Sequence, residues 1–184
     1  MQTIKERIAA LRSAMRQSGL SAYLIPSSDP HMGEYVPDCW RARSYFSGFT
    51  GSAGTLVVTK EKSGLWTDGR YFIQAERELS GSGIKLFRMG APGVPAYQEF
   101  LADTLEPGDT VAFDGRMFSA SDVEAMERRF AVRKIKTRSV DLISPLWQDR
   151  PLPPATRVGL HDVSYAGLSC AQKLAKVRAA LKKR

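Results

Sequence analysis

Few residues here could build a metal or nucleophile site. The 184 residues hold two cysteines, Cys39 and Cys170, and two histidines, His31 and His161. Two cysteines are too few for a disulfide framework. Without close spacing they also make a poor metal site, so each reads as a plain core or surface thiol. Two histidines limit both metal binding and acid–base work. There is no Gly-x-Ser-x-Gly, no His-Glu-x-x-His, and no cysteine paired in spacing with a histidine. No apolar run approaches the length of a membrane span. The opening residues Met1–Ser18 are charged and amphipathic, without the apolar core of a signal peptide. The expectation is a cytoplasmic protein with no membrane partner. By residue chemistry alone this is a domain that binds, positions or scaffolds, with no catalytic residue and no metal ligand to assign.

Strong charge of one sign is also missing from most of the chain. The net charge is +8, but residues 151–184 hold seven Lys or Arg and one Asp, a surplus of six. Residues 1–150 hold the other 20 basic and 18 acidic residues, a surplus of two. A basic tail is not a basic face, so no nucleic-acid partner is expected.

The rest is an alternation of helices and strands. Ile4, Ile8, Leu11 and Met15 recur at helical spacing, and Gly19 follows as a stop. Ala22–Ile25 is a short strand ended by Pro26. Ser27–Thr50 reads as a long irregular loop, dense in aromatics, in which Arg41 and Arg43 are expected to pack on Trp40 and Tyr45. Ser47–Gly54 is rich in small residues but leads into a strand, Thr55–Thr59, and no Lys-Ser/Thr follows. It is therefore read as close backbone packing and not as a phosphate loop. Further on, Ile84–Met89 reads as a strand, Val94–Leu105 as a helix and Thr110–Phe113 as a strand. Ser121-Asp122-Val123-Glu124 has capping-box spacing and opens a helix to Phe130, and Val132–Thr137 is another strand. The pattern predicts an α/β fold. Arg150-Pro151-Leu152-Pro153-Pro154 is a stiff linker. It divides residues 1–149, one domain, from 150–184, the linker and the first helix of a following domain. Ala171, Leu174, Val177 and Leu181 line one side of that helix. No internal repeat is evident.

The most informative stretch is Gly64–Ala75. It reads as the second strand of a hairpin, an Asp68-Gly69 turn and a helix start. Asp68 can cap the helix, which leaves Arg70 in its first turn, where the helix dipole disfavours a cation. Either an anion sits near Arg70 or Arg70 forms an ordinary surface ion pair. His31 beside Asp29 has a similar ambiguity between site chemistry and a plain surface turn.

Several separated motifs then occur in one order: Asp29-Pro30-His31, Glu34-Tyr35, Phe46-Ser47-Gly48-Phe49-Thr50-Gly51-Ser52-Ala53-Gly54-Thr55, Trp66-Thr67-Asp68-Gly69-Arg70-Tyr71-Phe72, and Trp147-Gln148-Asp149-Arg150-Pro151. Together they resemble the N-terminal domain of the large Xaa-Pro aminopeptidases (aminopeptidase P), of the creatinase/prolidase group. The resemblance implies a mixed β-sheet flanked by helices, of ribonuclease-H-like topology. It implies a parent hydrolase that removes an N-terminal residue preceding proline, using two divalent metal ions, usually manganese, in a C-terminal domain absent from these residues. This chain would then be non-catalytic and would bind no metal itself. Its partners would be a peptide with proline in second position, the catalytic domain of the same chain, and a second copy in a homodimer. The motif's arginine, which contacts bound peptide in that family, matches Arg70, with Asp68 and His31 as supporting residues. The alternative is the same domain in a catalytically dead homologue that binds a protein partner.

Overall fold

The computed structural model describes residues 2–183. The chain divides into two compact units, one ending at Pro153 and the other beginning at Pro154.

The first unit is built on a six-stranded sheet of β1 (Ala22–Pro26), β2 (Thr55–Thr59), β3 (Ser63–Thr67), β4 (Lys85–Arg88), β5 (Thr110–Phe113) and β6 (Lys136–Ser139). The strand order is β4-β3-β2-β1-β5-β6. β2 runs antiparallel to both of its neighbours, and the other pairings are parallel. The carboxyl ends of five strands therefore share one edge with the beginning of β2.

Both faces of the sheet are covered, which is why its central strands read as nearly unbroken apolar runs. Side chains alternate across the pleat. Tyr23, Ile25, Leu56, Val58 and Leu65 join one core with Leu11, Met15, Phe46 and Ile143. These last come from α1 (Ile4–Gln17), α2 (Ala42–Ser47) and α6 (Ile143–Leu146). Ala22, Leu24, Val57, Trp66, Val111 and Phe113 join the opposite core with Leu101, Met126 and Phe130. Those three come from α4 (Tyr97–Thr104) and α5 (Ala120–Ala131). Helix α3 (Phe72–Glu78) follows β3.

Several local expectations shift. The 27–50 segment is not wholly irregular, because it contains a 3-10 turn, Asp38–Trp40, and α2. Arg43 of α2 is buried and packs on Phe49, 4.6 Å from the ring centre, not on Trp40 or Tyr45. Its Nη2 donates to the Gly51 carbonyl, while Nε and Nη1 have no hydrogen-bond partner among the described residues. Burial lowers its pKa to about 10, outweighing the nearby Glu78 carboxylate, which acts to raise it. The cap of α5 is Ser119, which accepts from the Asp122 amide, two residues before the expected box. Helix α4 starts at Tyr97, three residues later than its apolar pattern suggested. β6 starts four residues later and ends two residues later than expected, after a turn through Lys134, whose φ is +55°.

Arg150 packs into the first unit although composition groups it with the linker. Its Nε donates to the Cys39 carbonyl at 2.5 Å, and its guanidinium lies 4.6 Å from the Trp40 ring centre. The second unit contains α7 (Val163–Ala166) and α8 (Cys170–Leu181), the latter capped by Ser169 with Gln172 reaching back. Leu174, Val177 and Leu181 on α8 are exposed.

Candidate functional site

The site lies at the carboxyl edge of the sheet, where α/β folds commonly bind ligands. An open cleft of about 410 Å³ runs along this edge, within the size range of ligand pockets. Residues following β1 (Ser27, Ser28), preceding β2 (Ser52, Ala53, Gly54) and following β3 (Asp68) and β4 (Met89) line it. The small residues before β2 are required by space. A Cβ on Gly51 would come 2.3 Å from Phe49 Cζ. One on Gly54, whose φ is +152°, would come 2.8 Å from the Trp66 carbonyl oxygen.

Asp68 follows β3 and caps a 3-10 turn, Gly69–Tyr71, that leads into α3. Its Oδ1 accepts the Arg70 backbone N–H at 3.1 Å. The same carboxylate takes the Arg70 side chain as a fork, with Nε to Oδ1 at 2.9 Å and Nη2 to Oδ2 at 2.8 Å. Those bonds hold the Asp68 carboxyl below its usual pKa and raise that of the guanidinium. Both residues stay charged at neutral pH. The Arg70 side chain remains 69% exposed. Of its five N–H donors, Nε–H and one on Nη2 are used, and three point to no partner among the described residues.

His31 is also exposed, in a tight turn knotted by the buried Asp29. The Asp29 Oδ1 accepts the backbone N–H groups of His31 at 2.9 Å and Gly33 at 3.1 Å. The intervening Met32 is held at a φ of +53° and lines the same cleft as Asp68. The structure thus brings Asp68 and Arg70 into direct contact. It places His31 on the neighbouring turn, with no hydrogen bond from its ring among the described residues.

Sequence reasoning passed over a second copy of the central motif. Asp114-Gly115-Arg116 follows β5 as Asp68-Gly69-Arg70 follows β3, and it caps a like 3-10 turn, Gly115–Met117. Asp114 Oδ1 accepts the Arg116 backbone N–H at 3.0 Å and the side-chain Nε at 2.9 Å. Arg116 Nη2 bridges two carboxylates, Asp114 Oδ2 at 2.6 Å and Asp141 Oδ2 at 2.5 Å. The signal was available as the string Asp-Gly-Arg-x-Phe, which occurs twice, each time after an apolar strand.

Among the described residues, no three His, Cys, Asp or Glu side chains come together as a metal site. The described residues therefore do not fit a two-metal centre. The described residues also hold no helix long and apolar enough to cross a membrane.

The chain can be compared with known proteins. It is 44% identical to "Aminopeptidase P2" of Arabidopsis thaliana, over 95% of this chain and 25% of that protein. It is 39% identical to a "Probable Xaa-Pro aminopeptidase P" of Laccaria bicolor, over 97% of this chain and 28% of that one. The structure superposes with a TM-score of 0.88 and 32% identity on an X-prolyl aminopeptidase from Caenorhabditis elegans. That enzyme is described as cytosolic with a di-nuclear active site, and the match covers all of this chain and 32% of it. The chain thus spans a quarter to a third of the length of these relatives. A family model for the creatinase/prolidase N-terminal domain matches residues 7–144. The mixed sheet covered on both faces is the fold this match requires, and the chain belongs to the creatinase/prolidase N-terminal domain family.

Proposed function

We propose that this chain is the non-catalytic N-terminal domain of a metal-dependent, cytoplasmic Xaa-Pro aminopeptidase, which removes the residue preceding proline. Two divalent metal ions, manganese in this reading, act in a C-terminal domain of the same protein. The N-terminal domain, residues 1–149, supplies a substrate contact through Arg70 together with interdomain and homodimer contacts. Residues 150–184 lead into the next domain. The observation that carries the reading is the Arg70 fork. A guanidinium aligned by Asp68, just past the carboxyl end of β3, keeps three donors without a partner among the described residues. Similarity to the Xaa-Pro aminopeptidases over nearly the whole chain supports it.

The test is hydrolysis of a Xaa-Pro-Xaa peptide by the complete protein with manganese, comparing wild type with Arg70→Ala. Activity that the variant loses mainly through a raised KM is the expected result. Because Arg70 is exposed, the variant should melt like wild type. Inactivity of the wild type with every divalent metal overturns the reading in favour of a dead homologue that binds a partner.

A further inference from the structure

The loop between β1 and α2 and the residues before β2 enclose a second pocket, of about 170 Å³. That is small beside the roughly 300–1,000 Å³ of sites for drug-sized ligands, and it suits a ligand the size of one amino acid. Its charges are of both signs. Arg43, only 5% exposed, forms the buried side, and Arg41 and Glu34 stand on the exposed rim. Pro26, Val36 and Trp40 supply an apolar wall. Arg43 is short of partners for a buried cation. Nη2 donates to the Gly51 carbonyl, but Nε and Nη1 are buried without an acceptor among the described residues. Buried donors are normally satisfied, and leaving a charged one unpaired is costly. The carboxylate that acts to raise its pKa, Glu78, is held elsewhere. It accepts the Thr50 backbone N–H at 2.8 Å, the Thr50 hydroxyl at 2.7 Å and Gln74 Nε2 at 3.1 Å. The ion pairs among the described residues include neither Arg43 nor Glu34. Arg41 is already paired with Asp38 at 3.2 Å. One guanidinium and one carboxylate therefore line a small pocket, each without an opposite charge.

A simple anion would serve Arg43 but meet Glu34 as a like charge, and a simple amine would do the reverse. A ligand that satisfies both carries both charges close together, with an apolar part for the wall. We propose that this pocket binds a free α-amino acid with an apolar side chain. Its carboxylate takes charge-assisted hydrogen bonds from Arg43, its ammonium faces Glu34, and its side chain packs on Pro26, Val36 and Trp40. Ligand choice here rests on charge and size, and not on the aminopeptidase reading. If that reading also holds, the ligand is of the class that the parent enzyme releases.

Calorimetric titration of the 184-residue chain, where no other domain contributes, tests this. It compares leucine with leucinamide, which lacks the carboxylate, and with isocaproate, which lacks the ammonium. Leucine is expected to bind at least about tenfold more tightly than either, the scale of a lost charge-assisted hydrogen bond. Glu34→Gln, a change on the exposed rim, should weaken leucine by about tenfold and leave isocaproate no weaker. Arg43→Met should weaken leucine and isocaproate but not leucinamide. Should Arg43→Met fail to fold, the ligand series and Glu34→Gln decide alone. Equal binding of leucine and leucinamide takes Arg43 out of the site and overturns the proposal. Inorganic phosphate binding as tightly as leucine makes this a plain anion pocket and also overturns it. So does the absence of any binding at about 10 mM leucine.

Discussion

Tyr23→Phe removes a single oxygen from the centre of the sheet. Tyr23 lies in β1, fully buried, paired with Val58 of β2 on one side and Ala112 of β5 on the other. Its ring belongs to the core with Phe46 and Ile143, and phenylalanine fills the same space. Its hydroxyl donates to the Val140 carbonyl at 2.8 Å and accepts the Leu142 amide at 3.3 Å. Burial pushes the phenol pKa far up, so it remains a neutral donor at every working pH. The two bonds tether the turn that carries Asp141 to Arg116. Losing the oxygen leaves a half-buried carbonyl and a buried amide without this partner. An orphaned buried group costs about 1–3 kcal/mol, and the long amide bond contributes at the low end, so a loss of roughly 2–3 kcal/mol is expected. Urea unfolding followed by tryptophan fluorescence reads this directly. With a slope of about 2 kcal/mol per molar, the midpoint should fall by roughly 1–1.5 M at unchanged slope. A loss below about 0.5 kcal/mol would show that water or a shifted turn satisfies both groups, and would refute the tether.

Gly64→Ala should destabilise by about 1–3 kcal/mol through overpacking. Its Cβ would come 2.6 Å from Phe87 Cε2 and 2.7 Å from Trp66 Cζ3, rings stacked 3.8 Å apart with Trp66 Nε1 tied to the Pro95 carbonyl. Thermal unfolding and the near-UV signal of the tryptophan check it, and an unchanged melting temperature contradicts the packing argument. Acid should destabilise through Asp109 and Asp141. Burial, the largest single influence, raises both pKa values. It is outweighed only by the bonds and cations together, Ser21, the Glu106 amide and Lys60 at the first and Ser144, the Ser144 and Ile143 amides and Arg116 at the second, which leave both lowered. A carboxyl lowered on folding stabilises above its unfolded pKa, about 3.9 for Asp, and that contribution disappears as pH falls through the folded value. The urea midpoint should therefore hold from pH 7 to about 5 and fall below about 4, less steeply in Asp141→Asn, whose midpoint is already lower at pH 7. Equal acid slopes in both proteins would remove Asp141 from the account.

The sheet was legible in the sequence because its strands obey local rules. Thr55–Thr59 and Gly64–Thr67 are short β-branched or apolar runs joined by a four-residue polar turn, and they pair antiparallel as written. The Asp68 cap was legible for the same reason, since an aspartate before a glycine turn satisfies amides two residues away. Helix α2 was hidden. Its six residues, Ala42–Ser47, lie among aromatics and carry no side-chain cap, so tertiary packing of Phe46 makes the helix and propensity does not. Arg43 was misplaced because a buried arginine with two unpartnered nitrogens is a long-range outcome that no nearby residue announces.

The two Asp-Gly-Arg motifs show where the local reading ends. Within five residues they are nearly the same string, and they fold to the same capped fork with similar distances. A motif search ranks them equally. What separates them is the neighbouring strand: β6 delivers Asp141 to Arg116 and β4 delivers Gly90 to the matching place beside Arg70. That difference depends on which strands are adjacent and in what register, and residues some twenty positions away decide it. Arg116, bonded to two carboxylates, is spent in holding the turn after β6. Arg70, bonded to one, keeps donors to offer. The local sequence builds the fork, and the sheet topology decides which of the two is free to bind something else.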